Sequence, residues 1–156
     1  VVVVTIRKAH LEELPIIQDL NHQLFLFDAA RDPDLNLNWP LEKEGEAYFK
    51  KKIAGEVGVC FVAEVDGAVV GYLAGAVSDN MPSYRPVKRS ELENIFILED
   101  YRRAGAGRKL VQAFVDWSHD QDVTNIFVAA YFLNEKAVKF YEGVGFKPLE
   151  LELQMH

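Results

Sequence analysis

ELENIFILEDYRRAGAGRKLVQ, residues Glu91 to Gln112, changes period halfway along. Glu91 to Ile97 alternates polar with apolar residues and is rich in Ile and Phe, which predicts a half-buried strand. Leu110, Val111, Phe114, Val115 and Trp117 then recur at helical spacing. Between them lies Arg102-Arg103-Ala104-Gly105-Ala106-Gly107. Glycines there let backbone amides approach a ligand, and the following helix turns its unpaired N–H groups and positive dipole end toward any anion. Strand, loosened turn and helix together predict a phosphate cradle. Its two common forms do not fit. A dinucleotide fingerprint needs a third glycine where Leu110 stands, and a P-loop needs Gly-Lys-Ser/Thr, which the chain lacks. Arg102, Arg103, Arg108 and Lys109 make this a basic island on an acidic chain, suited to a multiply phosphorylated ligand.

A second stretch, NEKAVKFYEGVGF from Asn134 to Phe146, follows about one helix and one strand later. Arg102-x-x-Gly105-x-Gly107 after a strand, followed by this NxxAxxFYxxxGF segment, resembles the GNAT superfamily of acyl-CoA-dependent N-acyltransferases. The resemblance implies an α/β (α+β) fold: a central, mixed but mostly antiparallel sheet with helices on both faces and splayed central strands that hold acetyl-CoA. It implies that Arg102, Arg103, Ala104, Gly105, Ala106, Gly107 and Arg108 hold the pyrophosphate. It further implies that the strand edge Ile95, Phe96 and Ile97 pairs with pantetheine, which Asn134 also contacts. Tyr141 falls where the family places a general acid that serves the coenzyme A sulfur. A possible homodimer also follows from the resemblance.

The 156 residues are 49% hydrophobic, which fits one domain over 1–156 with a substantial core. With 24 acidic against 17 basic residues the net charge is -7, which argues against nucleic acid and anionic membranes as partners and suits a cationic substrate. Cys60 stands alone in an apolar run, so no internal disulfide forms, and a reducing cytoplasm is the simplest compartment. There is no run of 18 apolar residues, and Val1 to Val4 is too short for a signal peptide's apolar core. His10, His22, His119 and His156 lack ligand spacing, so no metal is expected.

Elsewhere the patterns predict a strand over Val2 to Lys8 and a helix whose face carries Leu11, Leu14, Ile17, Leu20, Leu24 and Phe27. A loop over Asp28 to Trp39 follows, then a helix opened by Pro40 and ended by Gly55. Val59 to Val65 and Ala68 to Ser78 form a hairpin about Asp66-Gly67. Asp79 to Arg89 is a loop, Asn125 to Tyr131 a strand and Asn134 to Val144 a helix. Phe146 to Met155 reads as a last strand with Leu149, Leu151 and Leu153 on one face.

Amide formation needs a neutral amine, a polarised thioester and a proton for the leaving thiolate. Bringing a lysine-like amine from pKa about 10.4 to neutrality at pH 7 costs roughly 4.6 kcal/mol unless a base or water relay takes the proton. Glu91 and Glu93 share a strand face. Glu93 resembles the acidic base of diamine acetyltransferases and Glu91 the glutamate of histone-type members; Glu93 is the preferred of the two, with a water chain as the third option. The chain is thus expected to be an N-acetyltransferase acting on a primary amine of a small molecule, with a peptide or protein amine, or silent acyl-CoA binding, as alternatives. Acceptor identity is expected to lie in the loops Asp28 to Trp39 and Asp79 to Arg89. There Asp28, Asp32 and Asp34 would join Glu91 and Glu93 around a cationic acceptor beside Phe25, Phe27 and Trp39.

Overall fold

Asp66 and Gly67 both take positive φ, 50° and 80°, the turn whose twist matches two antiparallel strands. They join β2 (Gly58–Val65) to β3 (Ala68–Ser78), the centre of a five-stranded sheet in this computed structural model, which describes residues 1–78 and 83–156. Sheet order is sequence order: β1 (Thr5–Lys8), β2, β3, β4 (Arg89–Ile97) and β5 (Asn125–Val128). The first three pairings are antiparallel, and β4 with β5 is parallel. The sheet is therefore mixed and mostly antiparallel, as expected.

Helices cover both faces. On one lie α1 (Leu14–Asp28) and α2 (Lys43–Ala54), whose Leu14, Ile17, Leu20 and Phe49 bury against Cys60, Val62, Tyr72 and Ala74. On the other lies α3 (Ala106–Asp120), whose Leu110, Val111 and Phe114 bury against Val59, Phe61, Leu73 and Leu92. α4 (Glu135–Gly143) packs its apolar side toward the same cluster, yet none of its residues is fully buried. Alternation along β2 and β3 is weak because both faces are covered, as their near-continuous apolar runs require.

Two irregularities of β4 position the site. The register with β3 slips at Glu93: Ala74 faces Asn94, while Gly75 faces Leu92. Glu93 is the extra residue of a β-bulge, and both Glu93 and Asn94 turn toward α2, leaving Leu92 and Ile95 on the α3 side. The ladder to β5 then covers only Arg89 to Leu92. From Glu93 to Ile97 the outer edge of β4 has no β5 partner, which is the splay expected of the central strands.

Several boundaries differ from expectation. β5 ends at Val128 rather than Tyr131, because the splay carries it away from the only strand it pairs with. Pro40 lies in a 3-10 turn (Trp39–Leu41), and α2 starts after it. Leu11 and Phe27, expected on the buried helix face, are exposed at the two ends of that segment. No strand forms over Phe146 to Met155: the alternation is real, but the segment meets no strand edge, and Leu149, Leu151 and Leu153 are exposed. In the expected Asp79 to Arg89 loop, residues 79–82 lie outside the described residues, and Arg89 belongs to β4.

Candidate active site

The turn after β4 is built by conformations few residues adopt. A 3-10 turn (Glu99–Tyr101) leads into Arg103 at φ 69° and Gly105 at φ 84°, and α3 begins at Ala106. The bond of Lys109 N–H to the Gly105 carbonyl, 3.1 Å, closes the first helical turn, so the amides of Ala106, Gly107 and Arg108 precede any intrahelical partner. A Cβ at Gly105 would meet nothing within 4 Å, so its glycine answers a torsional need alone. Gly105→Ala should therefore lower stability by about 1 kcal/mol, the usual cost of an L-residue held in that region. Urea denaturation would check it; an unchanged midpoint would mean the turn relaxes. Gly107 has another reason to be glycine: a Cβ there would lie 3.0 Å from the Phe140 ring and 3.3 Å from Ile97 Cδ1. It lets α3 approach α4 as well as leaving its amide open.

The basic island is not uniform. Arg102 folds back, its Nε donating to the Ile97 carbonyl at 2.8 Å and its guanidinium lying 5.1 Å from the Phe96 ring. Arg108 donates to the Gly143 carbonyl at 3.2 Å, tying α3 to the end of α4. Lys109 reaches the Val4 carbonyl at 3.0 Å, away from the turn. Arg103 is exposed and has no partner among the described residues. One free guanidinium thus stands with the amides, and a second is parked on the β4 edge.

Asn134 caps α4, its Oδ1 accepting the Ala137 N–H at 3.3 Å. Two turns later in the same helix, Tyr141 sits between Phe140 and Phe146, with ring centroids at 5.3 and 5.8 Å. Its hydroxyl has no hydrogen-bond partner among the described residues. Burial, and secondarily the charge of Asp28, pushes its pKa up to about 12, so the phenol keeps its proton at neutral pH. Asp28, at the end of α1, is thereby placed within electrostatic reach of Tyr141.

The two glutamates of β4 have different surroundings. Glu93 Oε2 receives Lys52 Nζ at 2.7 Å and the Tyr48 hydroxyl at 2.5 Å, and Asn94 Nδ2 in turn donates to the Tyr48 oxygen at 2.9 Å. Lys52 is nearly buried, and its ammonium also lies 4.8 Å from the Tyr48 ring. Two donors, from two residues of α2, thus occupy one oxygen of Glu93. Glu91 accepts no hydrogen bond among the described residues. Desolvation first, and then the charge of Glu93, raises its pKa above the ordinary carboxylate value. Sequence reasoning missed Tyr48 and Lys52; their i, i+4 spacing on α2 was the available signal.

Of the carboxylates expected around the acceptor, Asp32 receives the Tyr131 hydroxyl at 2.8 Å, strapping the loop after α1 to the segment beyond β5. Asp34 is exposed and does not join them. Phe25 stacks on Trp39 at 5.8 Å, and Trp39 meets Tyr48 edge-on at 5.4 Å, so an aromatic wall runs from the loop to the Glu93 pair. Phe27 stands outside it under the Arg31 guanidinium, 4.8 Å away. Among the described residues no group of three His, Cys, Asp or Glu could hold a metal, and no helix is long and apolar enough to cross a membrane.

A mixed sheet whose central strands part beside a helix start with free amides, followed by a helix whose phenol has no partner among the described residues, is the arrangement expected from the sequence. Residues 20–146 match the Acetyltransferase (GNAT) family, and the chain belongs to it. The chain is 31% identical over 96 residues to an N-alpha-acetyltransferase of Sulfurisphaera tokodaii, an alignment spanning 58% of this chain and 58% of that relative. Its fold is similar to that of a tetramutant of the BH1408 protein from Bacillus halodurans, with a TM-score of 0.85 at 19% identity, covering 97% of this chain and 99% of the other. It is also similar to the aminoglycoside N-acetyltransferase AAC(6')-Iy in complex with CoA, with a TM-score of 0.78 at 18% identity, covering 100% and 95%. At these identities the two structures speak for the fold alone.

Proposed function

We propose that the chain is an acetyl-CoA-dependent N-acetyltransferase that acetylates a primary amine of a small, cationic acceptor by direct attack. The observation that carries this reading is the β4 edge from Glu93 to Ile97, unpaired on the β5 side and leading straight into the Arg103 to Arg108 turn. Extended pantetheine needs such a backbone edge, and a pyrophosphate needs such a turn. The residues present fit both. The amides of Gly105, Ala106, Gly107 and Arg108 with the Arg103 guanidinium would hold the pyrophosphate. Ala104 shapes the turn, Arg102 can swing out from Ile97, and Ile95, Phe96 and Ile97 offer the strand. Asn134, at the start of α4, would contact the pantetheine as well as capping the helix. Bound acetyl-CoA supplies the activated thioester.

The chain's own groups then divide the proton traffic. Glu91, raised in basicity and unpaired, takes a proton from the incoming ammonium or from a water beside it. Glu93, its Oε2 already occupied by Lys52 and Tyr48, fixes the acceptor-side field, so Glu91 is proposed as the base in place of Glu93, the residue preferred from sequence. Tyr141 gives its proton to the departing thiolate. Asp28 and the Phe25–Trp39 wall receive the acceptor's second charge and carbon tail. The similarity to an N-alpha-acetyltransferase favours a second reading, acetylation of a peptide α-amine. The single buried Cys60 supports a reducing, cytoplasmic setting, and residues 1–156 are proposed to act as one catalytic unit.

The test is an acceptor panel of polyamines, amino acids and peptides, read by coenzyme A release. Di-cationic small amines should give the highest kcat/KM, falling as salt rises. Activity confined to peptides would move the protein to the second reading. In the same assay, kcat/KM should fall below the raised pKa of Glu91, where the base is protonated, and Glu91→Gln should remove that limb with an activity loss on the order of 10²-fold. An unchanged pH profile in that variant would assign proton removal to a water chain.

A further inference from the structure

We propose that the chain acetylates itself at Lys52, moving the acetyl group of acetyl-CoA onto that side chain's own amine within one molecule, an activity that rests on the N-acetyltransferase reading of the site. Lys52 is the one buried lysine among the described residues, and every other lysine is exposed. Its Nζ lies 2.7 Å from Glu93 Oε2. Stability is a poor reason for that burial. An ion pair taken out of water is often matched or bettered by apolar side chains of similar volume, so the pair calls for another explanation.

Position supplies one. Glu93 is the bulged residue of β4 and the first on the edge that β5 leaves unpaired, and Ile97 is the last residue of β4 before the turn. An acyl donor held by its pyrophosphate in that turn, and extended along the edge from Ile97 toward Glu93, would carry its thioester to the Glu93 end. Lys52 reaches the same end from α2, so a primary amine already stands where an incoming one is expected. The other lysines lack this placement. Lys50 pairs with Glu46 one turn earlier in α2, Lys88 donates to the Gln121 carbonyl and Lys109 to the Val4 carbonyl, and the rest lie in water.

The surroundings can carry the step. Glu93 touches the ammonium, and Glu91 lies within its field. The Lys52 nitrogen bonds the acetyl carbon as the carbon–sulfur bond breaks. Of the two protons that the ammonium sheds, Glu93 takes the first and passes it to water, and the second replaces the one that Tyr141 gives to the departing sulfur. A charged lysine and acetyl-CoA thus become acetyl-lysine, coenzyme A and one released proton. The product also has room. Lys52 borders a cavity of about 520 Å³ that Ile53, Val57, Val59 and Val77 line as well, an apolar place for a neutral acetamide. The Tyr48 hydroxyl remains on Glu93 Oε2, itself held by Asn94, so α2 keeps a bond to β4. What changes is charge: the positive group beside the two carboxylates of β4 is gone.

The experiment incubates the whole chain with isotopically labelled acetyl-CoA and no added acceptor, and follows it by intact mass and peptide mapping. One label per chain is expected, on the peptide that carries Lys52. Its first-order rate should be unchanged when the protein is diluted, and about tenfold or more above that of any exposed lysine, because the amine is already held in place. Lys52→Arg, which keeps a cation on Glu93, should take up no label. Label scattered over exposed lysines, a rate that scales with protein concentration, or a chain that releases coenzyme A with added amines yet leaves Lys52 unlabelled would overturn the proposal while the enzyme stands. A chain that gains no thermal stability from acetyl-CoA would remove the function and the self-acetylation together.

Discussion

Replacing Tyr141 with Phe should lower kcat on the order of 10²-fold or more while leaving the melting temperature and acetyl-CoA affinity nearly unchanged. The ring packs against Phe140 and Phe146 and is kept by the substitution. Only the hydroxyl is lost, and it makes no hydrogen bond among the described residues whose loss could destabilise the fold. Burial pushes the pKa of that hydroxyl up to about 12, so the proposed acid keeps its proton at neutral pH. Steady-state rates and thermal denaturation of the two proteins separate the alternatives. A rate within threefold of the original, together with a fall in melting temperature, would make Tyr141 a core residue and leave the leaving group without a donor.

Glu93→Gln should cost stability, and more of it than Lys52→Met. Lys52 is 7% exposed and Glu93 28% exposed at the side chain, so the two ends of the pair differ in how readily water can replace the lost partner. Removing the carboxylate strands an ammonium almost out of water, a penalty of about 2 kcal/mol or more, below the 3–5 kcal/mol of a fully buried pair. Removing the ammonium leaves a carboxylate that can rehydrate and still receives the Tyr48 hydroxyl. Urea midpoints of the two variants give the comparison directly. If Lys52→Met were the more damaging, the lysine's packing over the Tyr48 ring, rather than the ion pair, would be what holds α2 to β4.

Much of this was legible in the chain because local chemistry forced it. Asp66-Gly67 could only turn a hairpin, Gly105 tolerates the left-handed torsion, and the change of period between Ile97 and Leu110 marks where the sheet gives way to α3. What the sequence hid was tertiary. Glu91 and Glu93 look equivalent by alternation, but a one-residue bulge, invisible to periodicity, sends Glu93 and Asn94 to the same side and into the reach of Lys52 and Tyr48 from another helix. The basic island looks uniform in the sequence; in the fold Arg108 and Lys109 reach the Gly143 and Val4 carbonyls. The alternation of Phe146 to Met155 reads as a strand of this sheet, whereas the segment forms no ladder with it, and alternation alone does not supply a partner strand.

Binding of acetyl-CoA, followed by thermal denaturation, tests the central claim most directly, since every assigned role depends on the turn and the β4 edge taking this ligand. At a hundredfold excess over its dissociation constant the ligand should add about 2.7 kcal/mol of stability. For a domain of this size that raises the melting temperature by roughly 5 to 10 °C, and the increase should shrink in Gly105→Ala. No change in melting temperature at millimolar acetyl-CoA would contradict the account.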